Sequence, residues 1–173
     1  GYINSTTVNF TYTPSDANGL ANCTIRLDGV DNMTTVGPFS GIQTNFTIDG
    51  LAHGVHLWNI TGIDTFSKTS VSATRNVTVD PLAPVIYLNT TNGITFNNTP
   101  AVLNFTVFDN IDTNLTCNVT VNGTNVFQNI NATSGSLVSR SVTLTDGDKS
   151  WNVTCADDAG NVNISQTRFF RVL

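Results

Sequence analysis

Apolar and polar residues alternate along many short stretches of this chain, and this period of two residues is typical of β-strands with one face in a core. The clearest example places Trp151, Val153 and Cys155 at every second position, with Asn152 and Thr154 between them. The same alternation occurs at residues 8–13, 23–27, 44–48, 101–108, 117–121 and 138–144. Because no stretch has the 3.6-residue period of an amphipathic helix, the chain is expected to be nearly all β.

The second half of the chain repeats the first half. Subtracting 58 from 151 gives an offset of 93 residues between the two tryptophans, Trp58 and Trp151. The offset is 94 where Cys23 aligns with Cys117, and 95 for the Val-Asn-Phe-Thr stretch that starts at Val8. Shifts of this size belong in loops, so each copy is expected to form one domain.

The boundary between the copies is the segment Pro81-Leu82-Ala83-Pro84. Its two prolines restrict the backbone and remove hydrogen-bond donors. We therefore expect domain 1 at residues 1–80, a short stiff linker at residues 81–84 and domain 2 at residues 85–173.

Domain 2 opens with a strand-like stretch at residues 85–88, and nothing before Tyr2 matches it in domain 1. Domain 1 is therefore expected to lack its first strand and to leave a sheet edge unpaired. Three explanations stay open at this point. The chain is a piece cut from a longer array, the strand is shortened, or a neighbouring molecule supplies a strand to the free edge.

The turn residues complete the fold prediction. Asp28-Gly29 and Asn122-Gly123 each follow a strand and predict tight hairpins, since a type I′ turn needs two residues with positive φ. Each copy is expected to close with a strand, at residues 71–79 and 162–172. Six or seven short strands per copy predict two tandem immunoglobulin-like β-sandwich domains in an all-β chain. A small barrel is the structural alternative.

Composition narrows the range of partners. Charged residues make up 11% of the chain, against a usual fraction of about 25%, and the net charge is −5. Every acidic residue is Asp, and Thr, Asn and Ser fill the polar positions. No basic cluster is present, which argues against nucleic acid and anionic membrane surfaces as partners.

No apolar run reaches the roughly 18 residues of a membrane span. Gly1 does not begin a signal peptide, so we expect a mature protein or an excised part.

Asn-x-Ser/Thr triplets, the acceptor sequence for N-glycosylation, are far more frequent than random placement would give. Asn is depleted in strands in general, yet here it recurs at outward strand positions. Glycans would supply the solubility that the low charge does not. The alternative is that polar-out alternation in Thr-rich strands produces the triplets by accident. The candidate sites are Asn4, Asn9, Asn22, Asn32, Asn45, Asn59, Asn76, Asn89, Asn97, Asn104, Asn114, Asn118, Asn122, Asn131, Asn152 and Asn163.

The chain contains three cysteines. In an immunoglobulin-like sandwich the strands of Cys117 and Cys155 are antiparallel neighbours in one sheet, so a disulfide between them is expected. It would close a loop of 38 residues (155 − 117) and stabilise the domain by about 3 to 4 kcal/mol. Cys23 has Gly62 at the partner position and is left alone. It is either a buried thiol that acts as a small apolar residue or the site of a bond to another chain.

Two loops of domain 2, at residues 109–114 and 157–161, are rich in Asp and Asn and are expected at one pole of the domain. Oxygen ligands of this kind can hold Ca²⁺, but Asp and Asn are also ordinary turn formers. Apart from N-linked glycans and this candidate Ca²⁺ site, no cofactor is expected.

No arrangement of residues suggests catalysis. His53 and His56 are the only histidines and are interpreted as solvated turn residues. Nothing resembles a nucleophile elbow, and Trp58 and Trp151 share strand faces with other apolar residues, so they are expected to anchor the cores. We therefore do not expect an enzyme.

The order of motifs in domain 2 resembles a known class of repeat. Residues 115–123 (LTCNVTVNG), Asp146-Gly147 and residues 151–161 (WNVTCADDAGN) are similar to immunoglobulin-like repeats of prokaryotic, especially archaeal, surface proteins. Domain 1 matches more loosely, since it keeps Cys23 and Trp58 but loses the second cysteine and the Ala-Gly-Asn turn. The resemblance implies stalks, S-layer segments, adhesins or extracellular filaments, usually glycosylated, with no catalytic residues.

These observations together predict a structural, N-glycosylated unit of an extracellular filament or pilus, S-layer or stalk at the cell surface. Its expected partners are further copies or neighbouring repeats of a longer chain. The alternatives are an adhesin or carbohydrate-binding module, which predicts an exposed aromatic patch to which Phe108, Phe169 and Phe170 could contribute, and an accessory domain of a secreted enzyme.

Overall fold

The computed structural model describes residues 1–97 and 100–173, which divide into two compact units, Gly1–Pro81 and Leu82–Leu173. We keep the names domain 1 and domain 2 for these units. All regular secondary structure in the described residues is β, which confirms the predicted all-β class. In this part of the chain no helix has the length and apolar character that crossing a membrane requires.

Domain 2 is a sandwich of two sheets around one core. Its strands are β9 (Val85–Leu88), β10 (Ile94–Phe96), β11 (Ala101–Phe108), β12 (Asn114–Val121), β13 (Thr124–Thr133), β14 (Leu137–Val142), β15 (Gly147–Ala156), β16 (Val162–Ile164) and β17 (Arg168–Val172). The larger sheet has the order β10-β17-β15-β12-β13, with β16 paired to β15, and the smaller sheet has the order β14-β11-β9. Their inner faces meet around Phe105, Val119 and Trp151, which are at most 1% exposed.

Domain 1 repeats this plan with one strand fewer. Its strands are β1 (Tyr2–Ile3), β2 (Val8–Tyr12), β3 (Leu20–Leu27), β4 (Val30–Val36), β5 (Thr44–Ile48), β6 (Gly54–Asp64), β7 (Thr69–Val71) and β8 (Arg75–Val79). The larger sheet has the order β1-β8-β6-β3-β4, with β7 paired to β6, and the smaller sheet contains β2 and β5 alone. Phe10, Ile25, Phe46 and Val79 belong to its core.

The strand that domain 1 lacks is the counterpart of β9. β1 runs parallel to β8, just as β10 runs parallel to β17, so β1 corresponds to β10. In domain 2, β11 pairs with β14 on one side and with β9 on the other. In domain 1, where every residue from 1 to 81 is described, β2 pairs with β5 only.

The prediction of one closing strand per domain was wrong. Residues 71–79 and 162–172 each contain a break, because a serine side chain replaces a ladder hydrogen bond. Ser72 Oγ accepts from the backbone N–H of Ile60 at 2.9 Å, and Ser165 Oγ accepts from that of Val153 at 3.0 Å. Each serine therefore ends one short strand, β7 or β16, before the chain enters the next.

The hairpin turns have the backbone geometry that their sequences predict. Asp28 and Asn122 have φ of 50° and 48°, and the glycines after them also have positive φ. The hairpins lead into β4 and β13, which the sequence analysis did not assign. Six of the seven residues of β4 are exposed, so this strand has no apolar alternation that could reveal it.

The turn that domain 1 seemed to have lost is present in its backbone. In domain 2, Gly160 has φ of 86°, and Asp157 accepts the N–H of Asn161 at 2.8 Å. In domain 1 the aligned Ser67 has φ of 64°, and Asp64 Oδ1 accepts the N–H of Lys68 at 2.8 Å. The carboxylate cap is thus retained although the glycine is not.

Candidate functional site

Two facing strand positions hold a pair of cysteines in domain 2 but only one cysteine in domain 1. Cys117 and Cys155 lie directly opposite each other on β12 and β15 and form a disulfide. In domain 1, Cys23 on β3 lies opposite Gly62 on β6 and is a free, buried thiol. Burial raises the pKa of Cys23 above its ordinary value, which suppresses the reactive thiolate.

The acceptor asparagines all lie at the surface. Eleven of the sixteen residues are exposed and five are partly exposed. The partly exposed residues are Asn22, Asn59, Asn104, Asn118 and Asn152. The triplet that begins at Asn97 continues into residues 98 and 99, which lie outside the described residues.

Three pairs of acceptor triplets face each other in register on neighbouring antiparallel strands. Asn9 lies opposite Thr47, and Thr11 lies opposite Asn45. The other two pairs join residues 114–116 with 131–133 and residues 118–120 with 152–154. The two asparagines of a pair are diagonal neighbours, for which a separation of roughly 7–8 Å is typical. In the first pair their side chains touch, since Asn45 Nδ2 donates to Asn9 Oδ1 at 2.6 Å.

The acidic loops of domain 2 meet at one pole, as their sequence suggested. Carboxylate oxygens of Asp109 and Asp157 lie within 4.8 Å of each other. Asp109 Oδ1 accepts two backbone N–H groups of its own loop, and Asp112 Oδ2 accepts the N–H of Asp158 at 2.7 Å. The Asp112 carboxylate therefore ties the two loops together, and the Ca²⁺ site stays a prediction.

His56 is not a solvated turn residue, contrary to the expectation from sequence. It lies in β6 with 12% of its side chain exposed. Its Nδ1 donates to Asp28 Oδ2 at 2.7 Å and its Nε2 to the Ala52 carbonyl at 2.8 Å. Because both ring nitrogens face acceptors, the protonated imidazole satisfies both bonds, and these bonds, Asp28 first, raise the pKa of His56. His53 is exposed.

An exposed aromatic pair lies on the smaller sheet of domain 2. Tyr87 and Phe108 are 56% and 45% exposed, and their rings meet edge to face with centroids 5.8 Å apart. Asn89 and Thr106 lie beside them and are joined by a hydrogen bond of 3.0 Å. Sequence reasoning noted Phe108 but missed Tyr87, because the pairing of β9 with β11 is what places the two rings together.

Domain 1 also contains an open groove of about 640 Å³. One wall is the free edge of β2, at Thr11 and Tyr12, and the opposite wall is formed by β6 and β7. Trp58, Ile60 and Cys23 contribute apolar surface to it. No motif in the sequence indicated this groove.

Comparisons with known proteins identify the fold. The fibronectin(III)-like modules of Clostridium thermocellum CbhA superpose with a TM-score of 0.53 at 12% identity, covering 99% of this chain and 86% of theirs. An amphioxus IgVJ-C2 molecule gives 0.43 at 14% identity, covering 96% and 97%. A bacterial ice-binding adhesin gives 0.45 at 15% identity, covering 98% of this chain and 58% of the adhesin chain.

No family model matches this sequence, and no curated protein matches it. The likeness to the CbhA modules confirms an immunoglobulin- or fibronectin-like β-sandwich, and at this level of identity it shows the fold alone.

The cysteine arrangement generates a stability prediction. Gly62→Cys places a second thiol opposite Cys23, in the register that Cys117 and Cys155 have in domain 2. We expect a disulfide closing a loop of 39 residues (62 − 23) and a gain of about 3 to 4 kcal/mol in the stability of domain 1.

The first measurement is the intact mass of the variant, which falls by two hydrogens when the disulfide forms. The second is its calorimetric melting temperature before and after reduction. The matched control is Gly62→Ala, whose added Cβ would lie 3.7 Å from Cys23 Sγ, an ordinary contact. A variant that stays reduced under oxidising conditions would show that the two positions are not in disulfide register.

The His56 contacts generate a pH prediction. The pKa of His56 is raised in the folded state, so the stability from its bonds is fully present below the ordinary value of about 6.5 and is lost as pH rises through the folded pKa. The pKa of Asp28 is lowered, mainly by the hydrogen bond from His56, so its contribution is lost as pH falls below the ordinary range. Domain 1 should be most stable between these two limits.

We expect His56→Gln to lower the melting temperature of domain 1 more at pH 5 than at pH 8.5. The control is His53→Gln, which removes an exposed histidine and should have little effect at either pH. Equal destabilisation by His56→Gln at both pH values would contradict the charged hydrogen bond.

Proposed function

We propose that this chain is a structural unit of an extracellular surface protein. Its two immunoglobulin-like domains would carry N-linked glycans within a filament or pilus, an S-layer or a stalk, and would associate with further copies or neighbouring repeats. The proposal assigns no catalytic role to the chain.

The observation that carries this proposal is the position of the acceptor asparagines. In a chain with 11% charged residues, all sixteen remain at the surface, mostly on the outward faces of strands whose inward residues form the cores. N-glycosylation needs an exposed amide nitrogen, and attached sugars would give these Thr-rich faces the hydration that charge normally supplies.

The disulfide in domain 2 supports an oxidising compartment. Disulfides form and persist in extracellular and comparable environments, and are rare in the cytosol. Cys117 and Cys155 are both 0% exposed, so this disulfide is structural. An extracellular location is the simplest one that suits both the disulfide and the glycans.

The test is intact mass and glycopeptide mapping on material from the native source. We expect a mass above the 18.5 kDa polypeptide that falls in sugar-sized steps on deglycosylation.

We also expect at most one glycan per facing pair, such as Asn118 and Asn152, because two sugars on diagonal neighbours would collide. Asn32, exposed on the edge strand β4, has no facing acceptor and is the matched control for occupancy.

Material at the bare polypeptide mass would overturn the glycosylated assignment. Doubly glycosylated facing pairs would contradict the collision argument without affecting the rest. Electron microscopy of the same material tests the polymer: filaments or sheets support self-association, and dispersed particles at high concentration contradict it.

A second candidate function, carbohydrate binding, is favoured by the pair of Tyr87 and Phe108. Exposed aromatic faces can pack against sugar rings, and the exposed amide of Asn89 beside them can bond sugar hydroxyls. The pair belongs to the regular strands β9 and β11, so its position is held by the sheet.

We expect Tyr87→Ala and Phe108→Ala each to abolish retention of the chain in gels that contain a neutral polysaccharide it binds. Phe169→Ala, which removes an aromatic ring that is 59% exposed elsewhere on domain 2, is the control and should leave retention unchanged. Equal retention of all three variants, or no retention of the unmodified chain on a panel of polysaccharides, would reject this function.

A further inference from the structure

The exposed aromatic pair of domain 2 shares a shallow depression with an acceptor asparagine. The depression has a volume of about 690 Å³, and its lining includes Tyr87, Phe108 and Asn89. Asn89 directly follows β9 and begins the acceptor triplet Asn89-Thr90-Thr91. A sugar on Asn89 would therefore begin inside the depression that contains both rings.

The amide and the two rings lie on one face of the smaller sheet. The strand β9 turns its odd-numbered residues outward and its even-numbered residues to the core. Asn89 continues this alternation and is exposed, roughly 7 Å along the strand from Tyr87. Phe108 lies opposite Val85, one step further along the same face. The first sugar on Asn89 would thus reach Tyr87, and the next would reach Phe108.

The side chain of Asn89 is held at the floor of the depression. Thr106 Oγ1 donates to Asn89 Oδ1 at 3.0 Å. Thr106 lies opposite Tyr87 and is only 9% exposed, although it belongs to the outer face. Because the amide group is planar, this bond orients the whole amide and leaves Nδ2, the atom to which a sugar is attached, outside the bond.

The backbone around Asn89 is also held. The N–H of Asn89 and that of Thr90 both donate to the carbonyl of Asn104, at 2.8 and 3.2 Å. Thr90 Oγ1 accepts the N–H of Asn104 at 2.7 Å, and Arg168 Nη1 donates to the carbonyl of Thr90 at 2.8 Å. A sugar on Asn89 would therefore start from a fixed position, so little conformational freedom would be lost when it packs on the rings.

A second acceptor, Asn104, competes for the same space. Phe105 lies opposite Leu88, so the next residues along the two strands, Asn104 and Asn89, lie opposite each other. Side chains at directly opposite positions are only about 5 Å apart at Cβ, so two sugars would collide. Asn89 is exposed, whereas Asn104 is partly exposed and its Oδ1 is buried. Of the two, Asn89 is the one that presents its amide.

We propose that the glycan on Asn89 packs its first sugars against Tyr87 and Phe108 and covers them. This inference rests on the proposed N-glycosylation, and it names the ligand of the aromatic pair as a sugar attached to the chain itself. Aromatic faces pack well against the apolar faces of sugar rings. Because the sugar is tethered, its effective concentration at the rings is high and a weak contact suffices. The contact removes apolar surface from water and stabilises domain 2.

The first test is site-resolved glycopeptide mapping on material from the native source. Cleavage by chymotrypsin after Phe96 separates Asn89 from Asn104. We expect sugar on Asn89 and none on Asn104. Sugars at other sites with none on Asn89, or sugar on Asn104 in its place, would overturn this inference and leave the proposed function intact. A chain without any sugar would overturn both.

The second test looks for the contact itself by NMR, on the full chain made in a host that glycosylates Asn-x-Thr. We expect nuclear Overhauser contacts between sugar protons and the rings of Tyr87 and Phe108. The control is Phe169, whose ring is 59% exposed and lies outside the lining of the depression, and which should show no such contact. Rings of Tyr87 and Phe108 without sugar contacts would overturn the proposal.

The third test measures the stabilisation with two substitutions of the exposed Thr91. Thr91→Ala destroys the acceptor triplet without changing Asn89, and Thr91→Ser preserves it. We expect the core amide of Val119 to exchange hydrogen about threefold or more faster in Thr91→Ala, while that of Ile25 in domain 1 exchanges equally in both variants. In a host that attaches no sugars, the two variants should not differ at Val119.

A further substitution, Tyr87→Thr, removes one ring and keeps a residue suited to a strand. In this background the difference between Thr91→Ala and Thr91→Ser should shrink or vanish. Equal exchange of the two variants in the glycosylating host would overturn the proposal. A difference that persists at full size in the Tyr87→Thr background would also overturn it, because the stabilisation would then come from the sugar without the ring.

Discussion

Each domain depends on the antiparallel pairing of its two central strands. These are β3 and β6 in domain 1, and β12 and β15 in domain 2. It places Trp58 opposite Leu27 and Trp151 opposite Val121, with the large side chains on the core side. A slip of one residue would turn every inward side chain to solvent and bring the Asn and Thr residues of the outer face into the core. The register that forms the core therefore also displays the acceptor triplets, so packing and surface chemistry have one cause.

The two domains stabilise this pairing differently. In domain 2 the disulfide joins the central strands, and the third strand of the small sheet, β9, closes the core over Phe105 and Val107, both 0% exposed. In domain 1 the disulfide partner is Gly62 and the small sheet has two strands. Trp58, the counterpart of the fully buried Trp151, lines the open groove instead. Trp58 is thus partly exposed in domain 1, whereas its counterpart Trp151 is 1% exposed in domain 2.

The sequence alone predicted the features that local periodicity and repetition determine. Alternation located most strands, and the Trp and Cys offsets gave the alignment of the repeats. The breaks after β7 and β16 could not be predicted, because Ser72 and Ser165 interrupt the ladder through side-chain bonds to residues 12 positions away (72 − 60 and 165 − 153). The missing strand was visible as a gap in the alignment. The groove and the pair of Tyr87 and Phe108 could not be predicted, because both depend on which strands become neighbours.

The acceptor triplets and the free edge of β2 are physically related. An unpaired edge invites indiscriminate strand addition, and proteins often block it with charge, which this chain largely lacks. Asn9 lies on β2 itself and Asn45 lies opposite Thr11 on β5, so sugars on this pair would stand along most of the length of β2. Tyr12 ends β2 and lines the groove of domain 1. A glycan on either asparagine would hinder such strand addition along β2.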